Sequence, residues 1–488
     1  MMRICISIAE KTLDEAIAAS KRAADKSPDL IEVRIDYIHP LPDDLMRFKE
    51  IAVPKIATLR PSSQGGEFTG SAREKSIILR KALRAGFKAI DIESDSPLLS
   101  RTENEFRDAE LICSSHDLHL TPETSKIIEI LIANAAKGDV SKAAFKVNSI
   151  HDILSIVEAA MVFSSTDNEF VLIGMGELGG LTRACAGRMK CSFTYASLEP
   201  GKETASGQLD FDTVKRLGDS PIITGIIGFP LGHSVSPQMH NAAFLSLDIP
   251  GLYLPIPTRD EELDELLDLS LELNMMGFNV TIPHKEKIVP LLDKLDETAS
   301  KTKAVNTVVI LDGELTGMNT DVYGVAKTFE KAEMRVKGKR VLVIGAGGAA
   351  RACIYHLTSA GARTSLVNRT RLRADVLAND FPGVQVIEKD DAERLPFDVI
   401  INCTPLGMQG FPDEPPISSQ IFREGQFVFD TVYNPRITRF LADAQGRGAV
   451  IQSGQEMLVQ QAIKAFEAWT GRSPSYEVMS EAARGAIG

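Results

Sequence analysis

Three things are missing from this chain of 488 residues, and each removes a class of function. No apolar run approaches the roughly 20 residues that a membrane-spanning helix needs, so no membrane role is expected. There is no basic surplus: 54 lysines and arginines face 66 aspartates and glutamates, a net charge of −12. Nucleic acid is therefore not expected as a partner, since phosphate recognition needs a basic face; local basic pockets for small anions stay open. Cysteine is sparse and unpatterned. Cys5, Cys113, Cys185, Cys191, Cys353 and Cys403 form no Cys-x-x-Cys or other metal-type spacing, so no metal is expected. Cys5, Cys113 and Cys191 fall inside expected strands and read as reduced core thiols, which fits a reducing, cytoplasmic compartment. The opening Met-Met-Arg-Ile-Cys-Ile-Ser-Ile reads as a strand that starts almost at once, so no signal or transit peptide is expected before it. Internal repeats and low-complexity tracts are also missing.

What is present is alternation. Eight short apolar runs occupy the first 200 residues: Ile4–Ile8, Ile31–Ile35, Lys55–Leu59, Ala89–Ile92, Leu111–Ser114, Ala144–Val147, Val171–Gly174 and Ser192–Ala196. Between them lie amphipathic patterns such as Thr12–Ala24, Ala72–Ala85 and Ser125–Ala136. The count of eight predicts an α/β fold of the (β/α)8 TIM-barrel type over a doubly wound sheet. The run ends support it. Glu32, Arg34, Arg60, Glu93, His116 and Lys146 would all face the carboxyl-end mouth, where such barrels place their chemistry.

Lys146, in Ala-Ala-Phe-Lys-Val, ends the sixth run. A lysine at the end of a buried strand is costly unless its amine is used, and a neutral amine forms an imine with a carbonyl substrate. Nearby cations and partial burial favour the neutral form; Arg34, Arg60 and Arg183 are the candidates. The same arginines could clamp a carboxylate. His116, in Ser-Ser-His-Asp, ends the preceding run and could move a proton at the carbon beside an imine. His119 reads as structural.

These residues resemble the type I 3-dehydroquinate dehydratases over about residues 1–215. The resemblance rests on Glu32-Val-Arg34-Ile-Asp36, Leu59-Arg60 followed by Gln64-Gly65-Gly66, Asp91-Ile-Glu93, Ser115-His116-Asp117, Phe145-Lys146, Met175-Gly176 with Arg183, and Gly207-Gln208. It implies loss of water from 3-dehydroquinate through a lysine imine. Lys146 would carry the imine and His116 the proton. Glu32, Arg34, Arg60, Arg183, Thr204 and Gln208 would hold the substrate. The family usually has a glutamate where Gln64 stands. The expectation is therefore an altered His116 proton affinity, or another carboxylate such as Glu93 supplying the charge. Thr204 and Ser206 also replace the usual serine and proline before Gly207-Gln208.

After a linker around Thr213–Pro221 a new strand, Ile222–Ile227, opens the second half. Val341–Ile344 followed by Gly345-Ala346-Gly347-Gly348-Ala349-Ala350 and a helix over Ala349–Ala360 is a dinucleotide fingerprint, with alanine at its third position. Glycines let the backbone approach a pyrophosphate at the helix amino end. The next strand, Thr364–Val367, ends in Asn368-Arg369-Thr370 with Arg373 beyond; arginine in place of an acid points to a 2′-phosphate, hence NADP. Upstream, Lys285 and Asp321 end strands facing one cleft and could form a proton-relay pair.

Together with Gly228-Phe-Pro-Leu-Gly-His233-Ser234-Val-Ser236-Pro237, Asn279-Val-Thr281-Ile-Pro-His-Lys285, Ala304-Val-Asn306-Thr307, Asn402-Cys-Thr404, Asp430-Thr-Val-Tyr433-Asn-Pro435, Gly454 and Gln461, these resemble shikimate dehydrogenase over about residues 222–488. The resemblance implies Lys285 and Asp321 as catalytic pair, Ser234, Ser236 and Tyr433 at the carboxylate, and Thr281, Asn306 and Gln461 at the ring hydroxyls. Gly345, Ala346, Gly347, Gly348, Ala349, Asn368, Arg369, Thr370, Arg373, Thr404 and Gly454 would hold the cofactor. Both serines favour shikimate over quinate.

The expected organisation is a barrel over 1–218, a substrate domain over 222–322 with helices from about 456–488, and a Rossmann NADP domain over 323–455. The expected substrates are 3-dehydroquinate and 3-dehydroshikimate or shikimate. Two alternatives stand beside this reading: a dehydrogenase half that uses quinate, and a degenerate barrel kept as a scaffold.

Overall fold

A computed structural model describes residues 2–101, 106–232 and 234–487; His233 of the Gly-His-Ser motif lies outside them. The chain divides into two compact units, Met1–Ile223 with Glu261–Asn274, and Thr224–Asp260 with Met275–Gly488. No helix among the described residues is long and apolar enough to cross a membrane.

In the first unit eight strands, β1 (Arg3–Ile8), β2 (Leu30–Arg34), β3 (Lys55–Thr58), β4 (Ala89–Glu93), β5 (Glu110–Asp117), β6 (Val140–Lys146), β7 (Glu169–Met175) and β8 (Phe193–Ser197), follow the runs read from the sequence. All neighbours pair in parallel, in the order β7-β6-β5-β4-β3-β2-β1-β8. The remaining seam, β7 to β8, is bridged where the Ser192 N–H donates to the Phe170 carbonyl at 2.8 Å. The result is a nearly closed (β/α)8 barrel.

Side chains alternate across a strand, so residues two apart share a face. The outward set, including Ile6, Ile31, Val33, Ala57, Ile90 and Ile92, packs against surrounding helices. Three of these helices, Leu13–Asp25, Ala72–Arg84 and Ile150–Phe163, start with capping boxes: Thr12 with Glu15, Ser71 with Glu74, and Ser149 with Asp152. The inward set begins with an apolar plug of Cys5, Leu30, Ile56, Ala89, Ile112, Val140, Val171 and Phe193. Farther along the same face come Ser7, Glu32, Thr58, Asp91, Ser114, Lys142 and Tyr195, all buried. The plug closes one end of the barrel, and the polar set is aimed at the other.

The second unit holds two sheets. Strands β9 (Ile222–Gly228), β10 (Gly251–Pro257), β11 (Gly277–Val280), β12 (Lys294–Leu295), β13 (Thr307–Leu311) and β14 (Glu314–Met318) form a mixed sheet ordered β10-β9-β11-β13-β14-β12. The β13–β14 hairpin turns on Asp312-Gly313, both at positive φ (52° and 79°), the requirement of a tight two-residue hairpin. The other sheet is parallel. It contains β15 (Arg340–Ile344), β16 (Arg363–Val367), β17 (Gln385–Val386), β18 (Val399–Asn402), β19 (Phe427–Asp430) and β20 (Val450–Gln452), in the order β17-β16-β15-β18-β19-β20. Counted from β15 this is 3-2-1-4-5-6, the doubly wound dinucleotide order, whose reversal point lies between β15 and β18.

Candidate active sites

The barrel mouth encloses a cavity of about 300 Å³. Glu32, Arg34, Arg60, His116, Lys146, Arg183, Thr204 and Gln208, the residues that the sequence resemblance assigned to the chemistry, line it together with Gln64, Lys142, Met175 and Tyr195. Arg183 is buried, its Nε has no hydrogen-bond partner, and burial lowers its pKa to about 10. A guanidinium in that state calls for an anionic ligand. Thr204 and Gln208 are tied together, the Thr204 N–H donating to Gln208 Oε1 at 2.7 Å. Their loop docks on the barrel at Gly207 (φ +80°), where a Cβ would meet the Gly176 carbonyl oxygen at 2.1 Å.

Beneath the cavity runs a buried chain of alternating charges. Lys75, from the helix Ala72–Arg84, bonds Glu93. Glu93 Oε1 accepts from Arg60 Nη1 at 2.9 Å, and Arg60 Nη2 meets Asp91 Oδ2 at 2.7 Å. Asp91 Oδ2 also accepts from Lys142 Nζ at 2.9 Å, which donates in addition to the Tyr195 hydroxyl at 3.0 Å. Ser114 links Arg60 to Asp91, and Ser7 and Thr58 donate to Glu32 at 2.5 and 2.8 Å. Burial alone would raise the Asp91 pKa, but Arg60 and Lys142 overcome it and hold the carboxyl well below its ordinary range.

His116 sits at the rim with Nδ1 3.2 Å from Gln64 Oε1. Burial, then the charges of Arg60, Lys142 and Arg34, push its pKa well below the ordinary value; Asp91 opposes them. Glu93, offered above as a substitute carboxylate for His116, does not act so: its oxygens are occupied by Arg60 and Lys75.

In the second unit a cavity of about 280 Å³ is lined by Ser234, Ser236, Thr281, Lys285, Asn306, Asp321, Tyr433 and Gln461, with Ala349 and Gly454 at its edge. Lys285 Nζ donates to Asp321 Oδ2 at 2.5 Å. Asn306 Nδ2 donates to the other Asp321 oxygen at 2.9 Å and lies 3.3 Å from Gln461 Oε1. Asp321 is thus oriented from both sides. Burial raises the Tyr433 pKa and keeps its hydroxyl protonated.

The glycine loop follows β15. Gly345 takes φ +111°, with its Cα so close to β18 that a Cβ would lie 2.9 Å from the Cys403 carbonyl oxygen. Nothing lies within 4 Å of a Cβ position on Gly347, whereas one on Gly348 would lie 2.8 Å from Lys285 Cδ. Ala346 packs against the core of this sheet. Thr404 is fixed by Asn402, whose Oδ1 accepts from its N–H at 2.9 Å and its hydroxyl at 2.7 Å. Asn368 Nδ2 donates to the Thr370 carbonyl at 2.9 Å. Arg369 and Arg373 are exposed, while Arg371 between them is engaged by Glu388 and Asp375. These residues fit a dinucleotide carrying an extra phosphate: an open glycine cradle leads to two exposed arginines that have no side-chain partner among the described residues.

Comparison with known proteins separates the same two halves. The type I 3-dehydroquinase model matches residues 4–219, the shikimate dehydrogenase substrate-binding model 226–308, the shikimate/quinate 5-dehydrogenase model 326–406, and the shikimate 5′-dehydrogenase C-terminal model 454–484. The bifunctional 3-dehydroquinate dehydratase/shikimate dehydrogenase of Arabidopsis thaliana, a chloroplastic protein, is 32% identical over 96% of this chain and 82% of its own length. This chain belongs to the bifunctional 3-dehydroquinate dehydratase/shikimate dehydrogenase family. The NADP(+) shikimate dehydrogenase of Carboxydothermus hydrogenoformans is 41% identical over 55% of this chain and 98% of its own. The shikimate 5-dehydrogenase of Thermus thermophilus, solved with NADP(H) and shikimate, superposes with a TM-score of 0.51 at 36% identity, covering 54% of this chain and 99% of that one.

For the dehydratase half, sequence reading passed over one residue of consequence. Taking the sixth run as Ala144–Val147 cut Lys142 out of the strand, yet β6 begins at Val140. Lys142, Ala144 and Lys146 share the inward face. Lys142 is 5% exposed and inside the charge chain. Lys146 is half-buried at the rim, its amine packed over Gly176 and without a hydrogen-bond or ion-pair partner among the described residues. The signal was in the sequence: Val-Ser-Lys-Ala-Ala-Phe-Lys puts two lysines four apart, hence on one side of a strand.

Proposed function

We propose that the barrel dehydrates 3-dehydroquinate to 3-dehydroshikimate through an imine on Lys142, with His116 as the proton carrier, and that the second unit reduces the product to shikimate with NADPH. One observation supports Lys142 over Lys146: Lys142 is the buried lysine of the cavity, its Nζ held by Asp91 at 2.9 Å and by the Tyr195 hydroxyl at 3.0 Å, whereas Lys146 is only half-buried at the rim. The amine adds to the substrate ketone and water leaves, giving an iminium that keeps the positive charge facing Asp91. His116 Nε2 takes a proton from the adjacent carbon. The enamine then expels the neighbouring hydroxyl, which leaves as water with that proton, and hydrolysis frees the lysine. Arg183, unpaired and buried, takes the substrate carboxylate; Glu32, Arg34, Arg60, Thr204 and Gln208 hold its hydroxyls and orient it. Lys146 closes the rim.

In the second unit NADPH supplies the hydride. Lys285 gives the proton to the carbonyl oxygen as it becomes a hydroxyl, and Asp321 holds Lys285 in place. Ser234, Ser236 and Tyr433 would receive the carboxylate, and Thr281, Asn306 and Gln461 the ring hydroxyls. The presence of both serines in the cavity supports shikimate over quinate. Gly345, Ala346, Gly347, Gly348, Ala349, Thr404 and Gly454 would cradle the dinucleotide. Asn368, Arg369, Thr370 and Arg373 would take its 2′-phosphate. The activities map onto residues 1–218 for dehydration, 222–322 with helices from about 456–488 for the second substrate, and 323–455 for the nucleotide. Six buried, unpaired cysteines support a reducing, cytoplasmic setting.

Borohydride added with 3-dehydroquinate, followed by peptide mass analysis, tests the imine. The reduced adduct is expected on the peptide at Lys142, and Lys142→Met abolishes dehydration while shikimate oxidation continues. An adduct on Lys146 alone would transfer the role there, and no adduct at all would favour a barrel retained as a scaffold.

A further inference from the structure

His116 leans on an amide, and the amide leans on a carboxylate. Gln64 Oε1 lies 3.2 Å from His116 Nδ1, and Gln64 Nε2 donates to Asp95 Oδ1 at 3.1 Å. The backbone under Gln64 is fixed. Its N–H donates to the Pro61 carbonyl at 3.0 Å, and the Gly66 N–H donates to the same carbonyl at 3.0 Å. Gly65 turns the chain at φ +80°, and a Cβ on Gly66 would lie 2.0 Å from the Arg60 carbonyl oxygen. Gln64 therefore has little freedom except rotation of its amide.

An ionised carboxylate only accepts hydrogen bonds, while an amide donates from one end and accepts at the other. Asp95 therefore draws the –NH2 end of Gln64, which leaves Oε1 facing the histidine. An oxygen there requires Nδ1 to carry a proton, so the neutral ring keeps its lone pair on Nε2, the nitrogen directed away from Gln64. We propose that Asp95 is a positioning residue for the dehydratase, acting through Gln64 to hold His116 in the tautomer whose Nε2 can accept the substrate proton. The inference rests on His116 as the proton carrier. Asp95 is exposed, so its charge reaches His116 only weakly through solvent; the direction of the amide carries the effect. The charged groups that do face His116 come from four strands or their ends: Arg34, Arg60, Asp91 and Lys142, with Lys146 in the same cavity.

The test uses the full chain and three variants: Asp95→Ala, Gln64→Glu and the double replacement. In Asp95→Ala the amide turns freely. Dehydratase kcat is expected to fall about three- to tenfold, a fraction of the factor that a proton carrier contributes, with KM for 3-dehydroquinate and dehydrogenase activity unchanged. Nitrogen-15 histidine spectra, with the His116 signal assigned by its loss in His116→Asn, should show Nε2 changing from lone-pair-bearing toward protonated. In Gln64→Glu a carboxylate accepts from Nδ1 in either orientation. The acid limb of kcat/KM should then move up by about one pH unit, because an added negative charge favours imidazolium, and Asp95→Ala should cost nothing further in that background. A wild-type His116 with its proton on Nε2 would overturn the proposal. So would an Asp95→Ala enzyme with unchanged kcat and tautomer, or a double variant no better than Asp95→Ala. The tautomer is read without turnover, so failure of the dehydratase assignment itself would show separately, as an inactive wild type.

Discussion

Single side chains carry both the proposed 2′-phosphate contact and the proposed imine. Arg369, just after β16, and Arg373, in the helix Arg371–Asp380, are exposed, while Arg371 is engaged by Glu388 and Asp375. Replacing Arg369 by alanine should raise KM for NADPH at least tenfold and leave KM for NADH within about twofold, since one charge-assisted phosphate contact contributes about 1.5–3 kcal/mol; steady-state kinetics with both coenzymes checks it. NADP was legible in the sequence because an arginine takes the place where an acid is the alternative. Lys142 was not, although its letter was in plain sight. A lysine two residues ahead of the run Ala144–Val147 looks like the approach to a strand, and what sets it apart is its bonding to Asp91 on β4 and Tyr195 on β8. Those partners are 51 and 53 residues away, a distance that alternation along one strand does not encode. Asp95 was hidden for the same reason: it meets Gln64 from another strand end, 31 residues on.

At the level of elements, the helix Ala72–Arg84 does more than cover the barrel. Its Lys75 is 4% exposed and ends the charge chain at Glu93, with its own pKa lowered by burial and partly restored by Glu93. Replacing it by methionine leaves Glu93 with an unmatched oxygen in the interior. Breaking a buried pair in this way costs about 3–5 kcal/mol, so urea unfolding of Lys75→Met should show a loss of that order, with a raised KM for 3-dehydroquinate as Arg60 loses its backing. The element itself was easy to anticipate: Ser71 and Glu74 mark its start, and the pattern read as Ala72–Ala85 ends one residue from the observed helix. All eight barrel strands and the β15–helix–β16 unit were anticipated too, because alternation and glycine spacing are local. The pairing order of the mixed β9–β14 sheet was not read from the sequence, since it depends on which distant strands find each other.

On the scale of the molecule, stability and acidity are linked through buried groups outside the chemistry. His240 is fully buried, stacked on Tyr253 with ring centroids 4.2 Å apart, and burial drives its pKa to about 3 against a smaller pull from Asn279. Its folded pKa lies below the ordinary value, so the unfolded chain binds the extra proton. The associated stability is complete above about pH 6.5 and is lost as pH falls toward 3. His240→Phe should therefore shrink the stability difference between pH 7.5 and pH 4.5 by about 2–3 kcal/mol, measured by denaturant titration at both pH values. Asp430 works in the opposite sense. Burial raises its pKa to about 6 despite donors at Thr438, Val432 and Asn402, so its contribution is present in acid and fades as pH rises through 6. The variant at 240 isolates one slope from the other. Finally, the hydrogen atom that stands for a side chain at position 348 leaves the methylenes of Lys285 room to lie across the nucleotide loop. The proposed proton donor thus leans on the proposed coenzyme loop, so Gly348→Ala, whose Cβ would lie 2.8 Å from Lys285 Cδ, would push on the reducing site as well as on the nucleotide's seat.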